Sequence, residues 1–192
     1  MTDGLNIDKK KTALVVIDLQ KGIVARGDAK PHPTAEVVAN AVMLADAFRA
    51  VKMPVFLVHV ERSEGTALNN ISDIQWSMPP LLPDWSEIIS ELGPKDGDVV
   101  ITKRQWGAFY GTELEMQLRR RGIDTIVLCG ISTVYGVEST ARFANEMGFQ
   151  QIFAEDAMSD MGSADAHTHT IEFVFKRIGR VRKTSEVLAS LP

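Results

Sequence analysis

Asp124-Thr-Ile-Val-Leu-Cys-Gly-Ile-Ser-Thr-Val-Tyr-Gly-Val-Glu-Ser-Thr140 is the stretch whose reading decides the fold. It opens as a continuous apolar run, the pattern of a strand buried on both faces of a parallel sheet. Gly130 breaks the run, and from about Thr133 the spacing becomes helical. Ser132 or Thr133 is placed to accept from the free N–H groups of the first helical turn. A strand that delivers a helix N-terminus to the rim of a sheet collects unpaired N–H groups there and favours negative charge. Gly136 falls in that first turn, where a side chain could have been used.

Outward from this stretch, strand and helix patterns alternate. Thr12–Asp18 is an apolar strand ending on a carboxylate, followed by the polar loop 19–22. Apolar residues recur at helical spacing over 34–51, and Pro54–Val60 is a second strand. The connection 61–96 is long, carries Gly65, Asn69-Asn70 and Pro79-Pro80-Leu81-Leu82-Pro83, and offers one short helical candidate over 84–92. A connection of this length in an α/β domain is usually a lid, a pocket wall or an interface. A third strand over 98–102 ends at Lys103, and a helix follows over 111–121. The opening stretch gives the fourth strand and a helix to about Met147. A fifth strand spans 150–155, a helix 163–178, a sixth strand 180–182 and a last helix 185–191. The pattern predicts one α/β domain over 1–192, a three-layer doubly wound sandwich with a six-stranded, mostly parallel sheet. Ligands of such sheets bind outside the C-terminal strand ends, where Asp18, Lys103 and the 130–136 turn converge.

Composition bounds the function. The 192 residues carry a formal net charge of −4 with no dominant basic cluster, which excludes nucleic acid as the expected partner. No apolar run reaches the roughly 20 residues of a membrane span. The N-terminal residues lack the apolar core of a secretory signal. The single cysteine, Cys129, excludes an internal disulfide. A cytoplasmic protein with a small-molecule partner is the expectation.

Three motifs then read together: Val-Val-Ile-Asp18-Leu-Gln20, Thr102-Lys103-Arg-Gln-Trp-Gly-Ala-Phe-Tyr-Gly-Thr112 and Gly130-Ile-Ser-Thr-Val-Tyr-Gly136-Val-Glu-Ser-Thr140. In order and spacing they resemble the isochorismatase-like hydrolases, which include nicotinamidases and N-carbamoylsarcosine amidases, and within them the YecD-like group. The resemblance covers the chain from Thr12 to Leu191. Amidase members use an Asp–Lys–Cys triad. Asp18 and Lys103 match its first two members, and Gly136 stands where the nucleophilic cysteine would be. Isochorismatases proper also carry glycine there and cleave a vinyl ether without a covalent cysteine intermediate. The resemblance further implies a cis peptide at Ile131–Ser132 and a homo-oligomer, a dimer or larger. The nicotinamidase metal site uses an Asp-x-His arrangement after the second strand. Here that region reads His59-Val-Glu-Arg-Ser-Glu-Gly, so neither metal nor other cofactor is expected.

Each candidate has a functional and a structural reading. Asp18 and Lys103 form either an acid/base pair or a structural ion pair tying strand ends. Gly136 either admits substrate close to backbone amides or is tolerated in a first turn. Trp106, Phe109 and Tyr110 would wall a small planar substrate or pack elsewhere, and Gln20, Ser132, Tyr135 and Arg62 would supply further contacts. Cys129, inside an apolar run, reads as an inert hydrophobe, with an alternative role as an amidase nucleophile. His167 and His169 fall on different faces of one helix, which speaks against a metal pair on that helix. The reading is a hydrolase in which Asp18 works as acid/base, Lys103 is its charge partner and water attacks. The alternative of a different class is a catalytically silent binding protein on the same scaffold.

Overall fold

The computed structural model describes residues 5–62, 71–74 and 82–192. In chain order the elements are β1 (Thr12–Ile17), α1 (Lys21–Val24), β2 (Ala29–Lys30), α2 (Thr34–Ala50), β3 (Val55–Val60), β4 (Val99–Lys103), α3 (Leu114–Arg119) and β5 (Thr125–Ile131). A π-helical turn over Thr133–Val137 leads into α4 (Glu138–Glu146). Then come β6 (Gln150–Met161), α5 (Ala164–His169), a second π-helical segment (Thr170–Phe175), α6 (Lys176–Ile178), β7 (Arg180–Arg182) and α7 (Thr184–Ala189).

The six expected strands form a parallel sheet in the order β7-β6-β5-β1-β3-β4. A seventh, β2, adds two residues antiparallel to the far end of β6, opposite Asp160 and Met161. Its brevity left no periodicity to read, and β6 runs six residues beyond the expected fifth strand. The chain leaves β1 to build β3 and β4 on one side, then returns to build β5 on the other. A cleft at the C-terminal end of β1 is the result.

Side-chain alternation along the central strands explains the two helix layers. In β1, Leu14 and Val16 point into one core with Val37, Ala41, Leu44 and Phe48 of α2 and Val187 of α7. Ala13, Val15 and Ile17 point into the other, with Leu114 and Leu118 of α3, Ala141 and Ala144 of α4, and Phe175. Burial on both faces is what the continuous apolar runs required.

The expected helix over 84–92 is not formed. Its backbone pairs instead with the loop after β1: Lys21 N–H donates to Glu87 O, Gly22 N–H to Trp85 O and Ile89 N–H to Leu19 O. A β-bridge joins Gln20 to Ile88. Long-range pairing thus overrides a weak local helical preference. The Gly65, Asn69-Asn70 and Pro79–Leu81 part of the expected pocket wall lies outside the described residues. Among the described residues no helix is long and apolar enough to cross a membrane.

Gly130 holds β5 against β1. Its φ is +118°, and a Cβ there would lie 2.1 Å from the carbonyl oxygen of Ile17. Both backbone conformation and interstrand space therefore demand glycine. Gly130→Ala is expected to destabilise the fold by at least about 3 kcal/mol, read as a lowered urea midpoint. An unchanged midpoint would refute this account of the β1–β5 contact.

Candidate active site

Asp18 follows β1 with φ +54°, in the left-handed region that Asp tolerates better than most residues. Its N–H donates to Val58 O at 2.8 Å, anchoring this conformation to β3. The carboxylate is buried, and Oδ2 accepts from Lys103 Nζ at 2.7 Å. Lys103 ends β4, so its side chain reaches past the end of β3 to meet Asp18. The ammonium also donates to Gln105 O at 3.2 Å and Trp106 O at 2.6 Å. These three acceptors use all three donors of the ammonium, leaving none directed at a substrate.

Two effects compete at Asp18. Burial raises its pKa and is the larger; the Lys103 charge and hydrogen bond lower it, with smaller help from His59 and Arg62. The net direction is upward. Oδ1 is buried and has no hydrogen-bond partner among the described residues. A buried, unpartnered carboxyl oxygen is costly unless a ligand or proton uses it.

Gly136 closes the constellation. A Cβ built on it would lie 3.0 Å from Asp18 Oδ2, 3.0 Å from Ile17 Cγ2 and 3.3 Å from Lys103 Nζ. A side chain here would point straight at the ion pair, so the strand ends bring Asp18, Lys103 and Gly136 together. The preceding Ile131–Ser132 peptide is cis. The expected side-chain N-cap is absent. Ser132 Oγ instead donates to Asp160 Oδ2 at 2.5 Å and accepts from Met161 N–H at 3.0 Å, while Thr133 Oγ1 faces His167 Nδ1 at 2.8 Å. The Tyr135 and Val137 amides bond back to Ser132 O.

The aromatic candidates separate. Trp106 and Tyr135 meet with ring centroids 4.9 Å apart beside the turn, and Trp106 and Tyr110 are exposed. Phe109 is not a pocket wall: it is buried in the core against Phe149. Apolar spacing in a loop does not reveal which rings face inward. Gln20 is also reassigned. Its buried amide donates to Val60 O and Trp85 O and accepts from Val60 N–H, so both its hydrogens are committed to tying the rim together. His59 is held within the rim, by Ser86 O and Thr102 Oγ1. Arg62 lies over the Trp85 ring, 5.6 Å from its centroid. Two surface hollows of about 370 and 350 Å³ lie at the opposite strand ends, lined in part by Gly148 and Gln150 and by Pro54 and Asp98.

This geometry can be set beside known proteins. An isochorismatase domain model matches residues 12–186. The chain belongs to the isochorismatase family. The isochorismatase family proteins YwoC of Bacillus subtilis and YecD of Escherichia coli O157:H7 are 51% and 52% identical to it. These alignments cover 98% and 97% of this chain and 98% and 100% of the relatives. A solved isochorismatase family protein of Burkholderia thailandensis superposes with a TM-score of 0.90 at 45% identity, covering 97% of each chain. Within this isochorismatase-family chain, the region where the resemblance would place a nicotinamidase-type Asp-x-His begins at His59, and its residues 63–70 lie outside the described residues.

A different cluster was not foreseen. His32 in the loop before α2, Glu155 in β6 and His167 in α5 bring ligand atoms within 4.8 Å of one another. Only the fold unites them, since their sequence separations match no short metal motif.

Cys129 is not a nucleophile in this structure. It is fully buried, its thiol is pushed up to about 12 by desolvation, and it packs in the α2-side core. Ile17 and Val137, which flank the site, belong to the opposite core. Cys129 should resist iodoacetamide at pH 8 in the native protein and react fully in denaturant. Rapid native alkylation with loss of activity would overturn that assignment.

Proposed function

We propose that the chain is a cofactor-independent hydrolase of a small planar or carboxylated metabolite, with Asp18 as general acid/base and water as nucleophile. The observation that carries this reading is Asp18 Oδ1, buried and without a partner among the described residues, on a carboxyl whose other oxygen is paired with Lys103. A thiol nucleophile has no atom from which to act at position 136.

With a vinyl-ether substrate, protonated Asp18 delivers its proton to the carbon–carbon double bond, and an oxocarbenium ion forms. Water adds to that ion and returns a proton to the Asp18 carboxylate. The resulting hemiketal collapses to a carbonyl compound and an alcohol. Burial keeps Asp18 protonated to higher pH than an ordinary carboxyl, as the acid role requires. Lys103 stabilises the carboxylate left after proton transfer, and its three satisfied bonds fix where that charge forms. Backbone N–H groups around Ser132 and Gly136 would meet developing negative charge on substrate oxygen. Trp106, Tyr110 and Tyr135 would lie against the substrate's faces, and Ser132 acts through its tie to Asp160.

Asp18→Asn is expected to lower kcat by about 10²–10⁴-fold across a panel of small vinyl ethers and amides, with the fold verified by circular dichroism. The pH profile should follow the raised pKa: kcat/KM is high at acid pH and falls as pH rises through the folded-state value. Stability has the same sign. The folded state binds this proton more tightly than the unfolded chain, so the contribution present below the ordinary carboxylate pKa is lost as pH rises through the raised one. Equal activity of wild type and Asp18→Asn would refute the mechanism. Ligand-induced rise in Tm with no turnover across the panel would favour the binding-protein alternative.

A further inference from the structure

We propose that His32, Glu155 and His167 bind a divalent transition-metal ion of the zinc class, and that Thr133 links this site to the turn bearing Gly136. None of these ligands belongs to the Asp18–Lys103 pair. His32 precedes α2, Glu155 lies in β6 and His167 in α5. Both imidazoles aim Nε2 at the same oxygen, Glu155 Oε1, at 2.9 Å from His32 and 3.4 Å from His167. Zinc bound at about 2.0–2.1 Å by tetrahedral N and O ligands sets them about 3.3 Å apart, so both separations are close to those a bound ion needs.

Each outer nitrogen has a polar neighbour, as metal-bound histidines require. His32 Nδ1 lies 3.4 Å from Glu36 Oε1, and His167 Nδ1 lies 2.8 Å from Thr133 Oγ1. Such outer partners fix the tautomer and turn each Nε2 lone pair inward. His32 stands between two carboxylates, which accept only, and a neutral imidazole has one N–H to give. With Nδ1–H turned toward Glu36, the Nε2 lone pair faces Glu155, an arrangement that a cation between them would satisfy. Lys183 occupies the other oxygen, Oε2, leaving Oε1 for the metal. His167 is buried and the other two ligands are partly buried. Two nitrogens and one carboxylate oxygen suit zinc and its neighbours better than calcium or magnesium.

The test uses the full chain stripped with EDTA. Isothermal titration with ZnCl₂ is expected to give one site per chain. Zinc at 100-fold excess over Kd should raise Tm by about 5 °C or more. Co²⁺ in place of Zn²⁺ should produce a visible d–d absorption. His32→Ala and Glu155→Gln should each weaken Zn²⁺ binding at least about 100-fold and remove the Tm shift and the Co²⁺ band. His169→Ala, on the same helix but outside the cluster, and Asp18→Asn should retain all three. His32 is in a loop, so its variant keeps the test open if changes at buried His167 fail to fold. Absence of a Tm shift in the wild type, or equal Zn²⁺ affinity in His32→Ala, would overturn the site and leave the cluster a hydrogen-bonded His–Glu–His network.

Discussion

The ion pair between Asp18 and Lys103 sets the terms for the whole rim. Both side chains are almost fully buried, 7% and 1% exposed, and neither charge would be tolerated there alone. Removing one partner of such a pair typically costs about 3–5 kcal/mol because the other charge is stranded. That constraint explains features that otherwise look unrelated. Asp18 adopts a left-handed conformation to leave the sheet. The loop after β4 curls so that the carbonyls of Gln105 and Trp106 reach the ammonium. Thr140 then anchors the same loop by accepting from Ala108 N–H while donating to Gly136 O.

Pairing does not fully offset burial, and that imbalance is chemically useful. A carboxylate held only by the lysine would be a strong acid's conjugate base, poor at retaining a proton near neutrality. Here desolvation dominates and the pKa direction is upward. One oxygen faces the lysine, and the other has no protein partner among the described residues. The glycine at 136 keeps side-chain atoms off the lysine-facing side, where even a methyl group would press to 3.0 Å on Oδ2.

The sequence made the sheet and its rim legible because their signals are local. Continuous apolar runs mark β1, β3 and β5, and a carboxylate, a lysine and a glycine mark strand ends. What it could not convey depended on partners distant in the chain. Residues 84–92 carry a helical pattern, yet Leu19, Lys21 and Gly22 claim their backbone groups. Gln20 looks like a substrate ligand until Val60 and Trp85 are seen to saturate its amide. Phe109 shares a loop with exposed Trp106 and Tyr110 but turns into the core. The His32, Glu155 and His167 cluster was invisible for the same reason: segments separated by up to 135 residues must fold before it exists.

The turn over Thr133–Val137 is where these separate constraints meet. From one side Thr140 holds the Gly136 carbonyl; from another, Ser132 is fixed by Asp160 and the Met161 amide; from beneath, Thr133 rests on His167. A five-residue turn tied at three points has little freedom to reorient its amides when charge develops near them. Donors that need not reorganise stabilise such charge more effectively than mobile ones. In the proposed mechanism this fixed geometry, with a tuned proton, takes the place of a covalent nucleophile. The side chains around the turn are spent on holding it rather than on touching substrate, which is why so few of the polar residues at this rim remain available as direct ligands.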